Sequence, residues 1–360
     1  MRIVTLILRT DPLNPSREIL IQAARILLNK GIVAFPTETV YGLGAIIYYE
    51  DAVEKIFKAK MRPPDNPLII HISTLDMLEE VALNIPEDAY SLINRFWPGP
   101  LTLILPRNPR VPKIVTGGLD TIAVRMPGHP TALELINVVG YPIAAPSANL
   151  SGRPSPVTAE HVIRDLMGRI DAVIDAGETF FGVESTVVNI LEDPPTLLRP
   201  GAYPVEEIEK VLGRKIAIPD FARGLKYSEV ALAPGMKYRH YSPEAKLILV
   251  ESATDDYSVV VNKIIEAVRD IYSVSTSSDI CIVSSVETSS YYRKLEKVKA
   301  VLIIGSRRNL YEVAKNLFKI LRDVDNIGCK IVFVEGFPET GIGLAVMNRL
   351  RKASSSIIRV

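Results

Sequence analysis

After the turn-forming run DPLNPS, apolar Ile19, Ala23, Ile26 and Leu27 fall on one helical face, and Asn29-Lys30-Gly31 follows as a stop signal, which predicts a helix ending there. IVAF then reads as a buried strand closed by Pro36. The alternation continues with AVEKIFKAK as helix, LIIHI as strand, LTLIL as strand after the turn WPGP, TIAVRM as strand, ALELINVV as helix and PIAA as strand. Further on, KLILV, DICIV, KAVLII and KIVFVEG read as strands separated by two helices. Val260, Ile264, Ala267, Val268 and Ile271 share a face of the first; Leu310, Val313, Ala314, Leu317 and Leu321 share a face of the second. Asn309 and Glu312 stand where an N-cap and its reciprocal partner belong.

Strands alternating with helices predict α/β architecture throughout, and the simpler rhythm of the last third predicts a small parallel-sheet domain of Rossmann-like type. No G-x-G-x-x-G opens its first helix, so dinucleotide binding is not expected there. Between the two patterns, Arg214 to Lys246 holds seven Lys/Arg against three Asp/Glu with little periodicity. The chain therefore divides into residues 1–213, a linker at 214–244, and 245–360.

With 360 residues, 48% of them hydrophobic and 23% charged, the chain has the composition of a water-soluble globular protein of about two domains. Spanning a bilayer takes about 20 apolar residues; no run approaches that, and the amino terminus lacks a cleavable leader pattern, so a cytoplasmic location and no membrane partner are expected. Cys281 and Cys329 form no C-x-x-C pair, and His71, His129, His161 and His240 have no H-x-x-x-H spacing, so no metal site built by the protein is expected. A net charge of +1 leaves any nucleic-acid surface to local patches.

The chemistry-bearing residues sit in polar loops beside apolar strands: FPTETVYGLG, KAKMRPPDNPLIIH, PSANLSGRPSP and FFGVESTVVNI. Loops leaving strand ends in α/β sheets converge on ligands. Lys60 and Arg62 precede two prolines and suit a polyphosphate or carboxylate, or else form a solvated basic helix end. Ser147 and Asn149 alternate as on a continuing strand and can serve phosphate oxygens, or else belong to a turn with Ser155 or Thr158 capping AEHVIRDLM. Ser185 and Thr186 are either ligand donors or ordinary strand residues. Arg125, at the end of an apolar run, requires an anionic partner. The two glycines of TETVYGLG read as turn and close-packing positions, since no Lys-Ser/Thr follows to make a phosphate loop.

Taken in order, AFPTETVYGLGA, KAKMRPPDNPLIIH, WPGPLTLIL, DTIAVRMPGHP, IAAPSANLSGRPSP, FFGVESTVVNI, LLRPGAY and APGMKYRHYSP resemble the motifs of the YrdC-type L-threonylcarbamoyladenylate synthases in their long, two-domain form. The resemblance implies a YrdC-like twisted open mixed sheet with flanking helices over residues 1–213, a linker acting as a lid, and the Rossmann-like domain. It also implies a nucleotidyltransferase that makes threonylcarbamoyl-AMP and pyrophosphate from L-threonine, bicarbonate or CO2, and ATP with Mg²⁺. The product would serve N6-threonylcarbamoyladenosine formation at tRNA position 37 through a downstream threonylcarbamoyl-transfer machinery.

By motif position, the resemblance assigns Lys60, Arg62, Asn66, Thr121, Ser147, Asn149, Ser155, Arg199 and Tyr241 to the nucleotide, with Lys60 and Arg62 offsetting charge on the leaving group. Thr39, His71, Arg125, Ala145 (through its backbone) and Ser185 fall to threonine. Asn66 stands where many relatives carry His. A carbamate is already an anionic nucleophile, so the absence of a catalytic triad agrees with the implied reaction. A competing reading is RNA binding, of tRNA or another double-stranded RNA, through the basic stretches Lys58–Arg62 and Arg107–Lys113. Another is a carbamoyl- or phosphotransferase acting on a different small acceptor.

Overall fold

The computed structural model describes residues 3–226, 241–254, 256–274 and 279–360. It divides into two compact units: residues 3–151, 155–222 and 226 in the first; 152–154, 223–225 and 241 onward in the second. The expected lid, PGMKYRHYSP, lies outside the described residues except for Tyr241, Ser242 and Pro243.

The first unit runs β1 (Leu6–Arg9), α1 (Arg17–Leu28), β2 (Val33–Pro36), β3 (Tyr41–Ile46), α2 (Glu50–Lys60), β4 (Ile69–His71), α3 (Leu75–Val81), α4 (Glu87–Phe96), β5 (Leu101–Pro106) and α5 (Lys113–Thr116). It continues with β6 (Thr121–Arg125), α6 (Pro130–Val139), β7 (Ile143–Ala144), α7 (Ala159–Leu166), β8 (Ala172–Asp175), β9 (Thr186–Asn189), β10 (Thr196–Arg199), α8 (Val205–Leu212) and α9 (Asp220–Arg223), whose last residue, Arg223, belongs to the second unit. Its ten strands form a mixed sheet in the order β1-β8-β2-β3-β7-β4-β6-β5-β9-β10. The apolar stripe of α1 buries Leu20, Ala23, Ala24 and Leu27, and the helix stops at Asn29, whose N–H reaches back to Arg25 O. Thr158, not Ser155, caps α7 by accepting from the His161 N–H at 3.3 Å. The glycines of β3 are close-packing residues: a Cβ on Gly44 would stand 2.6 Å from the Phe35 ring.

The second unit comprises β11 (Lys246–Glu251), α10 (Tyr257–Val274), β12 (Ile280–Ser285), α11 (Ser289–Tyr292), β13 (Ala300–Gly305), α12 (Leu310–Ile327), β14 (Ile331–Glu335), α13 (Gly343–Ala353) and β15 (Ser356–Arg359). All strand pairs are parallel, in the order β13-β12-β14-β11-β15. Val260, Ile264 and Val268 of α10 pack on Ile248, Ile282 and Phe333 of the strands, as the stripe predicts. Asn309 occupies the N-cap of α12 without a side-chain capping bond, and Glu312 accepts instead from the Ser306 N–H at 3.0 Å. Cys281 and Cys329 form a disulfide that closes 48 positions of chain. No helix among the described residues is long and apolar enough to cross a membrane.

Candidate active site

Strand register brings some of the sequence-selected residues, Thr121, His71 and Arg125, to one face of the first unit's sheet. In the parallel pair β4–β6, Ile69 lies opposite Ala123 and His71 opposite Arg125, while β7 sets Ile143 opposite His71. Paired residues share a face and side chains alternate along a strand, so Thr121, Ala123 and Arg125 face the same way as Ile69 and His71. The strand-like course reaches Ser147, which bridges Gly42 of β3 in register with β7, but not Asn149, which lies beyond it in a bend. Phe35 meets the His71 ring edge-on at 6.3 Å. Ile69, Ala123, Ile104, Val187 and Leu198 form an apolar cluster here, with Phe221 of α9 packed against it.

Lys60 ends α2 and is 1% exposed, which excludes a solvated helix end. Met61 takes a left-handed conformation (φ 53°) and turns the chain, while the Lys60 ammonium donates to Asn149 O at 2.6 Å and to Ser147 O. The Lys60 carbonyl accepts from the Ser151 N–H at 2.9 Å, so the Ser/Asn loop is gripped twice by one residue. Within that loop the Ser147 hydroxyl donates to Asn149 Oδ1 at 2.6 Å. Arg62 Nη2 closes its own turn by donating to Asn66 O at 3.3 Å and Pro67 O at 3.1 Å. Asn66 is buried, and its Oδ1 has no hydrogen-bond partner among the described residues.

Arg125 finds the required anion in Glu38, with Nη2 2.6 Å from Oε1 and both side chains buried. Its Nε donates to Gly99 O at 3.2 Å and its Nη1 to Thr39 Oγ1 at 3.0 Å. A guanidinium has five N–H donors, so this cage still leaves donors for a second carboxylate. Burial, with the Arg125 charge beside it, pushes the His71 pKa down to about 3. His71 is therefore neutral at working pH, and with Nδ1 3.2 Å from Ile69 O its Nε2 is left as an acceptor. The backbone N–H of Ala145 donates to Ile69 O at 2.9 Å.

Further along the sheet, the Ser185 and Thr102 hydroxyls lie 2.8 Å apart. Arg199 clamps Ser185, with Nη2 donating to its carbonyl at 3.0 Å and its hydroxyl at 3.1 Å. Ser155 donates to Glu184 Oε1 at 2.6 Å. Thr121 opens β6, four residues and roughly 13 Å of strand from Arg125. Tyr241 belongs to the second unit, where its ring packs on Phe318 at 5.2 Å and under the Arg349 guanidinium at 5.7 Å.

The first unit thus holds a buried Arg–Glu pair, a neutral His and a Ser/Asn loop gripped by a buried lysine. A family model described as telomere recombination, for the Sua5, YciO and YrdC proteins, matches residues 25–201. A second, described as the threonylcarbamoyl-AMP synthase C-terminal domain, matches residues 203–355. The chain is 50% identical to the threonylcarbamoyl-AMP synthase of Pyrococcus abyssi, across 94% of this chain and 95% of that one. The chain belongs to the threonylcarbamoyl-AMP synthase family. It is 45% identical to the Bacillus subtilis threonylcarbamoyl-AMP synthase across 96% and 95% of the two chains. The crystal structure of P. abyssi Sua5 complexed with L-threonine matches 99% of this chain and 100% of that one, with a TM-score of 0.89 and 47% identity.

As a threonylcarbamoyl-AMP synthase family member, the chain is a nucleotidyltransferase-type enzyme. The structure adds residues that sequence reading passed over. Glu38 and Glu184 are buried carboxylates that hold Arg125 and Ser155, and Thr102 meets Ser185. Gly201 is required by packing, since a Cβ there would lie 2.3 Å from the Ser185 carbonyl carbon and the Thr186 nitrogen. The available signal for the two glutamates was their place inside TET and VEST, motifs already singled out for their hydroxyls.

Proposed function

We propose that this chain joins L-threonine, bicarbonate or CO2, and ATP into threonylcarbamoyl-AMP and pyrophosphate, supplying the machinery that modifies adenosine 37 of tRNA. The observation that carries this reading is the buried Arg125 cage, which has donors to spare for a carboxylate on the sheet face that also bears His71 and Ser147. The threonine complex of the P. abyssi relative supports the amino-acid half.

In this reaction the threonine amine attacks CO2 and loses a proton to form a carbamate. A carbamate oxygen then bonds to the α-phosphorus of ATP as the bond to pyrophosphate breaks. Arg125 holds the threonine carboxylate in a charge-assisted fork. His71, neutral, accepts a hydrogen bond through Nε2 and abstracts no proton. Lys60 fixes the Ser147–Asn149 loop and places its charge beside the phosphates; Arg62 does the same for the turn at Asn66. Among the described residues no three His, Cys, Asp or Glu cluster to hold a metal. Mg²⁺ fits as a passenger of the triphosphate, with oxygen ligands from phosphate and water, and offsets phosphate charge when bound.

The test is mass detection of the adenylate product with threonine and with serine, with and without bicarbonate. Product that requires both threonine and bicarbonate is expected, with serine accepted less well because a methyl contact discriminates by only about 1–3 kcal/mol. Pyrophosphate release indifferent to threonine would overturn the reading.

A further inference from the structure

We propose that the second unit carries a binding site of its own, for a phosphate ester of nucleotide size, in the cleft beyond the carboxyl ends of β11 and β14. The first ground is topology. From β11 the chain leaves through α10 toward β12, while from the adjacent β14 it leaves through α13 toward β15, on the other side of β11. Right-handed crossovers in opposite directions place their helices on opposite faces of the sheet, so the two outgoing loops diverge and open a crevice at a topological switch point.

A cavity of about 640 Å³ occupies that position, lined by Ser252, Ala253 and Thr254 after β11 and by Gly336 to Glu339 after β14. Its volume falls in the range of small-molecule sites, roughly 300–1,000 Å³.

The second ground is charge. Around the cavity runs a chain of ion pairs: Arg359 to Glu251 at 2.9 Å, Glu251 to Arg351 at 2.8 Å, Arg351 to Glu339 at 2.5 Å, and Glu339 to Arg223 at 2.7 Å. Three guanidiniums share two carboxylates, so the chain has an excess of one positive charge. Arg351 and Glu251 are both 8% exposed, a costly arrangement for a wall that apolar side chains would fill more cheaply. The outer members differ: Arg223 is 41% and Arg359 65% exposed, and each uses one carboxylate, which leaves a planar fork for an oxyanion.

The third ground is the rest of the lining, where Leu225, Val260 and Met347 supply apolar surface for the organic part of an ester. Arg307 is otherwise engaged, held by Glu335 at 3.3 Å and stacked between the rings of Tyr257 and Phe337. Guanidinium forks thus take the place of the glycine-rich loop that the sequence lacks. The site is independent of the chemistry proposed for the first unit.

The experiment titrates adenosine monophosphate into the full-length protein and follows hydrogen exchange at 252–254 and 336–339, together with calorimetry. The parent is compared with the double variant Arg223→Gln/Arg359→Gln and with Lys60→Met as a control for the catalytic chamber. The expected result is protection of both segments in the parent and in Lys60→Met. In the double variant, affinity at this site falls at least tenfold while pyrophosphate release from ATP stays at the parent rate. Absence of protection in the parent, or protection that survives the double substitution, overturns the proposal. So does equal protection by adenosine, which lacks the phosphate.

Discussion

Replacing Lys60 with methionine isolates the charge of a side chain that is nearly inaccessible to solvent. The ammonium donates to two backbone carbonyls, Ser147 O and Asn149 O, and Lys60 is 1% exposed. Methionine fills similar volume but leaves both carbonyls without that donor. At about 1.5–3 kcal/mol for each hydrogen bond to a charged group, with part regained by burying an apolar chain, Lys60→Met should cost roughly 3–5 kcal/mol. For a domain of this size that is a fall of about 10 °C in Tm, read by a melt monitored through the first unit. On the proposed reaction, pyrophosphate release should also fall by roughly 10²–10³, the usual effect of removing one preorganised charge beside a developing anion. Ser147→Ala is the control: it removes the hydroxyl bond within the loop and keeps the grip on the carbonyls, so it should retain most of the stability. A Lys60→Met protein with the parent melting temperature would refute the account of the loop, and one with the parent rate would refute the charge's role in turnover.

Three further outcomes follow from other parts of the molecule. Arg125→Lys keeps the charge but not the fork that serves Gly99 O, Thr39 and Glu38 together; the KM for threonine should rise roughly 10–100-fold with the KM for ATP nearly unchanged, and an equal rise in both would contradict the assignment. His71, held down to about 3 from 6.5, stays neutral in the folded protein while the unfolded chain takes up a proton below pH 6.5. Its contribution is therefore intact above that pH and is lost at about 1.4 kcal/mol per unit as pH falls toward 3. Urea melts between pH 7 and 4 should show a flatter slope for His71→Gln, and parallel curves for variant and parent would count against it. Finally, the bond between Cys281 and Cys329 spans 48 positions, which in the chain-entropy account is worth about 4 kcal/mol. Reductant, or Cys281→Ala, should lower the second unit's unfolding midpoint accordingly, and intact mass with and without reduction checks the pairing.

Where burial followed a period, the sequence was readable. The segment with its stripe at Ala23 and Leu27 became α1, its buried face turned toward Leu20 and Ala24 so that Ile19 and Ile26 are half-buried, and IVAF became β2. α13 was not readable, because the charged and amide residues that would mark a solvent face, Asn348, Arg349 and Lys352, are themselves buried. The four residues of β15 carry too little pattern to stand out from the helix before them. The loops that form the site announced themselves by residue type, yet their partners lie far away in the chain: Thr39 and Arg125 are 86 positions apart, Lys60 and Asn149 are 89, and Thr102 and Ser185 are 83. Only strand order joins such positions. An isolated glutamate in a polar loop reads as solvated, so Glu38 and Glu184 became visible once the sheet placed Arg125 and Ser155 against them.

The pairing of Arg125 with Glu38 also bears on the order of events in the proposed reaction. Threonine arrives as a zwitterion. Its carboxylate takes the donors left on Arg125, whose Nη2 lies 2.6 Å from Glu38, and its ammonium is then drawn to the Glu38 carboxylate, so that both charges of the substrate are met. The ammonium must first give up a proton to solvent, and the amine loses a second as its nitrogen bonds to CO2, so that a negative carbamate stands where the ammonium was. That group is repelled by Glu38 and attracted toward Lys60, Arg62 and the loop they hold. On the proposed reaction this change of sign would favour movement away from Glu38 and toward the phosphates, and only after CO2 has been captured. Glu38→Gln tests the idea: without the negative charge, threonine should bind more weakly, and the carbamate should lose the repulsion that drives it toward the α-phosphorus. Both KM for threonine and kcat should therefore suffer, whereas a pure anchoring role for Glu38 would raise KM alone.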